Sequence, residues 1–182
     1  MKEKLIEWIR SDHYRMAALE AASRLQLKDW CLAAGFVRNL AWDRLHGYVQ
    51  PTPLSDIDLV YFDRAYASAE RDEALEARLH TMSSHPWSVK NQARMHTRNG
   101  DPPYSSTAQA MSHWVEVETA VGVTFDREAD ELKLVAPFGV RPLFEKTITM
   151  NAKRRKPKEF AARIRDKGWQ RTWPQLTVIY DS

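Results

Sequence analysis

Residues 29–63, DWCLAAGFVRNLAWDRLHGYVQPTPLSDIDLVYFD, constrain the fold more than any other stretch of the chain. A short apolar run, the mark of a buried strand, ends at Gly35. Phe36, Leu40 and Trp42 then recur at helical spacing, and the helix continues to Leu45. Two prolines and several turn residues break the chain between 47 and 55, after which DIDLVYF alternates in the β-rich manner of a strand. The order strand, turn, helix, loop, strand sets a glycine at the head of a helix and two aspartates, Asp56 and Asp58, at the head of a strand. Strand residues two apart point to the same side, so these carboxylates share a face.

Strands alternate with helices along the rest of the chain, which points to an α/β or α+β class. The first 25 residues carry apolar positions at helical spacing and make one or two amphipathic helices. SAERDEALEARLHTM is a helix, WSVKNQARMH alternates as a strand from Trp87 to His96, and STAQAMSHW is a helix capped by Ser106 or Thr107. GVTF and LKLVAPF form a hairpin around DREADE, and VRPLFEKTI is a short helical piece. The basic run Lys153, Arg154, Arg155, Lys156 and Lys158 reads as a solvated linker running into a helix that ends near Lys167, followed by the apolar WPQLTVIY. The expected organisation is a domain over 1–150 and a basic segment with a C-terminal helix over 151–182, packed on the same domain.

Composition excludes several classes. Seven tryptophans and a 43% apolar content suffice for a core, and no apolar stretch approaches the roughly 20 residues that span a bilayer. The N-terminus lacks the apolar region and cleavage site of a secretory signal. The single cysteine, Cys31, cannot form an internal disulfide, which suits a reducing compartment. A cytoplasmic location, with no membrane partner, is expected. The net charge of +3 permits anionic partners without requiring them. A nucleic-acid partner has only the basic run behind it, because no RNA-binding motif is present.

An Asp-x-Asp pair is weak evidence by itself, since Glu116/Glu118, Asp126/Glu128 and Glu128/Asp130 have the same spacing. Its context sets Asp56 and Asp58 apart. Two carboxylates on one face repel unless a cation lies between them, and Mg²⁺, which also grips substrate phosphates, is the usual occupant. The turn at Ala34-Gly35 leads into a helix whose first N–H groups and dipole suit a phosphate. Arg38 sits in the first helical turn, where a cation is locally unfavourable, so it serves an anion or a nearby carboxylate.

These pieces together resemble the nucleotidyltransferase superfamily typified by DNA polymerase β. Locally they are most similar to the head of tRNA CCA-adding enzymes and poly(A) polymerases, which carry Gly-Gly-x-Val-Arg-Asp, an apolar helix, a loop and Asp-x-Asp opening a strand. Here that pattern is Ala34-Gly35-Phe36-Val37-Arg38-Asn39, LAWDRLHGY, a proline-containing loop, and Asp56-Ile57-Asp58. VKNQARMH, ETAVGV, APFG and KGWQRTWPQL look like a bacterial group of stand-alone nucleotidyltransferase-like proteins, usually of unassigned substrate.

The resemblance implies an α+β fold with a mixed β-sheet flanked by helices. It implies that Asp56 and Asp58 are catalytic and hold Mg²⁺ or Mn²⁺, with Gly35, Arg38 and Asn39 at the phosphates of a nucleoside triphosphate. The acceptor hydroxyl, on a small molecule, a protein or RNA, is unspecified. Three departures stand against this pattern. Ala34 replaces the first glycine, Asn39 replaces an aspartate, and the strand that would supply a third carboxylate contains none. Asn91, Glu116 or Glu118 is then the candidate third ligand, and Lys90, Asn91, Gln92, Arg94 and His96 form either a solvated strand face or a polar wall for substrate. Two functions follow: metal-dependent transfer of a nucleoside monophosphate, or non-catalytic nucleotide or RNA binding with a degenerate metal site.

Overall fold

The structure, a computed structural model, describes residues 1–181. The N-terminal stretch divides into α1 (Lys2–Arg10) and α2 (His13–Ser23), because Asp12 leaves the helix and caps the second one by accepting a hydrogen bond from Arg15 N. β1 (Cys31–Ala33) leads directly into α3 (Gly35–Leu45), and the proline loop delivers the chain to β2 (Ile57–Tyr61). α4 (Ala69–Met82), capped by the Ser68 side chain, returns the chain so that β3 (Trp87–Asn91) pairs with β2 in parallel. Two short helices follow, α5 (Met95–Asn99) and α6 (Thr107–Met111), the latter capped by Ser106. The hairpin of β4 (Gly122–Asp126) and β5 (Glu131–Val135) completes a five-stranded sheet of order β3-β2-β1-β4-β5. Within this sheet only β2–β3 is parallel; β1 pairs antiparallel with both β2 and β4. The fold is therefore α+β with a mixed sheet.

The two faces of this sheet have different fates, and the period of two decides which residue meets which. Leu32, Ile57, Leu59, Tyr61, Val89 and Val123 point into the main core with α1, α2 and α4. Cys31, Ala33 and Val60 point the other way and pack under Met111 and Ala120. Asp58, one step before Val60 on that second face, escapes the main core because the alternation turns it away.

The C-terminal third adds α7 (Arg141–Phe144), β6 (Thr147–Thr149), α8 (Pro157–Lys167), α9 (Trp169–Thr172) and β7 (Thr177–Ile179). The apolar end is thus partly a strand, paired in parallel with β6 in a separate two-stranded sheet. This segment packs on α3: Trp42, Ile148, Phe160, Trp169, Trp173 and Leu176 form a second buried cluster. Trp173 Nε1 also donates to the buried Asp43 carboxylate at 2.9 Å, so the tryptophan ends serve packing.

Two sequence expectations are corrected. The strand from Trp87 does not run to His96; it stops at Asn91, whose Oδ1 accepts from Ala93 N and turns the chain into a 3-10 turn over Gln92–Arg94 and then α5. The basic run is not simply a solvated linker, because Arg154 is buried, paired with Asp101 and donating to the His113 carbonyl at 3.1 Å. Among the described residues no helix is long and apolar enough to cross a membrane.

Candidate functional site

A cleft of about 580 Å³ opens between the second face of the sheet, the start of α3 and the C-terminal segment. Ala34, Gly35, Arg38, Asn39, Asp56 and Asp58 all line it. The register accounts for the convergence. Asp58 pairs with Ala33, the last residue of β1, so the aspartate pair stands beside the turn that begins α3.

That turn is backbone-built. Ala34 adopts φ 58° and ψ −127°, and its carbonyl accepts the first helical bonds, from Val37 N at 3.1 Å and Arg38 N at 2.9 Å. No side chain caps α3, and among the described residues the N–H groups of Gly35 and Phe36 have no hydrogen-bond partner. Gly35 keeps the tip bare: a Cβ there would lie 3.2 Å from Asn39 Nδ2 and 3.3 Å from Arg38 Nη2.

Arg38 is buried and locked in place. Its Nη1 donates to Thr119 Oγ1 at 2.9 Å and its Nε to Asn39 Oδ1 at 3.2 Å. Its guanidinium carbon lies 4.7 Å from the Trp169 ring centroid and 5.1 Å from that of Trp42, an arrangement in which both ring faces attract the cation. Burial lowers its pKa to about 10, against the pull of Glu116 and Asp58. Arg38 therefore remains cationic at neutral pH, and among the described residues its Nη2 has no hydrogen-bond partner.

Asp58 has its pKa raised, first by burial and then by the neighbouring charge of Asp56; Lys90, Arg38 and Lys167 oppose the shift. Among the described residues neither Asp56 nor Asp58 forms a salt bridge. β2 begins at Ile57, so Asp56 stands just ahead of the strand and Asp58 within it; both line the cleft and lack a counter-charge in direct contact.

The other sequence candidates separate. Lys90 and Gln92 line the cleft, whereas Asn91, Arg94 and His96 do not. Asn91 points to the opposite face of the sheet; its amide accepts from Asp63 N and Ala93 N and donates to the Asp63 and Tyr66 carbonyls. Arg94 turns back to pair with Asp72 of α4 at 2.7 Å, and His96 packs edge-on against Tyr104. Glu116 lines the cleft but is held by Arg163 Nε at 2.6 Å and by Thr119 Oγ1 at 2.8 Å. Glu118 is turned away and accepts from Thr149 N and Thr147 Oγ1, which pins β6. None of the three carries a free donor atom to the aspartate pair.

A sequence profile described as nucleotidyltransferase matches residues 20–178. The chain belongs to the nucleotidyltransferase family. A protein whose NMR structure reveals a CCA-adding enzyme head domain superposes on this chain with a TM-score of 0.86 at 30% identity, over 100% of this chain and 97% of that one. A CCA-adding enzyme solved in complex with CTP gives a TM-score of 0.58 at 14% identity, over 98% of this chain and 43% of that one. An apo form of a tRNA-processing enzyme gives 0.53 at 18%, over 88% and 44%. These last two likenesses are of fold, and the chain spans less than half the length of either protein. No curated protein matches it in sequence.

Among the described residues no three His, Cys, Asp or Glu side chains are grouped to hold a metal ion. Mg²⁺, however, is commonly held by one or two carboxylates and completes its octahedron with water and substrate phosphates. Two unpaired aspartates beside an open helix tip fit that mode, and do not fit an all-protein cage. Sequence reasoning missed the cations that the C-terminal segment brings to the cleft, chiefly Arg163 and Lys167. Their signal was present: Glu159, Arg163 and Lys167 are spaced by four on α8 and so share one helix face.

Proposed function

We propose that this chain moves a nucleoside monophosphate from a nucleoside triphosphate to an acceptor hydroxyl, with Asp56 and Asp58 as the residues that hold Mg²⁺ or Mn²⁺. The observation that carries this reading is the common cleft of the two aspartates and the open N-terminus of α3, fixed by the pairing of Asp58 with Ala33. The CTP bound by a CCA-adding enzyme of the same fold supports a nucleoside triphosphate as the ligand.

Gly35 and the first N–H groups of α3 meet the β- and γ-phosphates, and Arg38, held between Trp42 and Trp169, offers Nη2 to the same oxygens. The acceptor oxygen bonds to the α-phosphorus as the bond to the bridging oxygen breaks, pyrophosphate takes the electron pair, and the acceptor proton leaves to solvent. When bound, the divalent ion neutralises charge on the phosphates and acidifies the attacking hydroxyl. Rate enhancement then comes from positioning and fixed charge, without a covalent enzyme intermediate.

The second reading, nucleotide binding without turnover, is favoured by one observation: the cleft-facing positions of β3 are Ser88 and Lys90, neither a carboxylate. Incubation with labelled nucleoside triphosphates, Mg²⁺ or Mn²⁺ and a cell extract separates the two. Transfer of label by the wild type and its loss in Asp58→Ala supports catalysis. Label that persists in Asp58→Ala rules out the assignment of the aspartates, and nucleotide binding without transfer favours the second reading.

A further inference from the structure

β3 brings a lysine, and no carboxylate, to the aspartate pair. β2 and β3 run in parallel with Asp58 opposite Ser88 and Val60 opposite Lys90, and all four residues line the cleft. Diagonal neighbours on one sheet face, two residues along and one strand across, are about 8 Å apart at the backbone. The long Lys90 side chain thus starts within reach of Asp58, and its charge acts on that carboxyl. Lys90 is exposed, and among the described residues it has no salt-bridge partner.

The surroundings rule out the obvious substitutes for a further acidic ligand. Glu116 is committed to Arg163 through two hydrogen bonds, at 2.6 and 3.1 Å. Asn91 lies on the opposite face of the sheet, and Glu118 is bonded to β6. Paired catalytic metal ions sit about 3.5–4 Å apart and clamp both the attacking and the leaving oxygen. A second ion beside Asp58 on the β3 side would find an ammonium where it needs a carboxylate oxygen, and like charges repel.

We propose that this site holds a single divalent cation and that the Lys90 ammonium supplies the second positive charge at the reacting phosphate. The inference rests on the nucleotidyl-transfer reading above. Lys90 contacts a non-bridging oxygen of the α-phosphate and contributes charge alone; no bond to it forms or breaks.

The test is a Mn²⁺ titration of the full chain, followed by electron paramagnetic resonance, with one equivalent of a non-hydrolysable nucleoside triphosphate analogue. The wild type is expected to bind one Mn²⁺ per chain. Lys90→Met is expected to keep that one ion and the melting temperature of the free protein while binding the analogue at least tenfold more weakly, and Lys90→Arg to restore most of the affinity. Two ions per wild-type chain, or wild-type affinity for the analogue in Lys90→Met, overturns the role given to Lys90. Absence of any bound ion beyond that held by the free analogue overturns the nucleotidyl-transfer reading itself and this inference with it.

Discussion

Asp58 stands directly across from Ala33 in the antiparallel pairing of β1 with β2, one residue before the turn that opens α3. Backbone hydrogen bonds therefore set the distance from carboxylate to helix tip, and no flexible loop intervenes. The cost is charge: Asp58 is half-buried beside Asp56, and burial and that neighbour both raise its pKa. A carboxyl whose folded pKa lies above its unfolded value contributes stability that is lost as pH rises out of the acid range. Asp58→Asn is accordingly expected to raise the melting temperature of the ligand-free protein at pH 7. A gain of about 2–4 °C corresponds to ~1 kcal/mol in a chain of this size. A lower melting temperature contradicts the placement.

Ala34 carries strain at the same turn. A non-glycine residue at φ 58° and ψ −127° occupies backbone space that favours glycine. Ala34→Gly should stabilise the chain by about 1 kcal/mol, the relieved strain exceeding the added freedom of the unfolded glycine. Urea unfolding reads this directly, and an unchanged or lower midpoint counts against it.

Arg163 holds the buried Glu116 and, through Thr119, the Arg38 side chain. Arg163→Gln leaves Glu116 short of its cation and is expected to cost about 1.5–3 kcal/mol in denaturant unfolding, the range for hydrogen bonds to charged groups. It should also weaken nucleotide binding by loosening Arg38. A loss below ~0.5 kcal/mol, the usual scale of surface changes, contradicts the network.

Glu118 gives a pH signature elsewhere in the fold. Burial pushes its pKa up to about 7 from 4.5, despite the hydrogen bonds from Thr149 and Thr147. Across that window the folded chain retains a proton that the unfolded chain has lost, so stability falls as pH rises and levels off above about pH 7. Glu118→Gln keeps an acceptor for Thr149 N and should flatten the decline. Parallel curves for variant and wild type between pH 4.5 and 7 refute this.

The part of the site built from local sequence was legible. β1, α3, the proline loop and β2 follow one another within 35 residues, and the period of two put both aspartates on one face. The end of β3 was not legible, because polar and apolar residues continue to alternate through Ala93 and Met95, while the Asn91 side chain diverts the backbone. The pairing of β6 with β7 joins two three-residue strands far apart in sequence, too short for a periodic signal. Glu116 and Glu118 look alike as letters. Only tertiary structure sends one to Arg163 and the other to β6. Trp169 stacks on Arg38 only because α9 folds back over α3, a contact between distant segments.

The central claim is that Asp58, beside the tip of α3, makes triphosphate binding depend on a divalent ion. Thermal denaturation of wild type and Asp58→Asn, with nucleoside triphosphate in the presence and absence of Mg²⁺, tests it most directly, since a ligand bound only by the native state raises the melting temperature. The account predicts a rise for the wild type that requires Mg²⁺ and no Mg²⁺-dependent rise for Asp58→Asn. An equal, Mg²⁺-dependent rise in both proteins would contradict it.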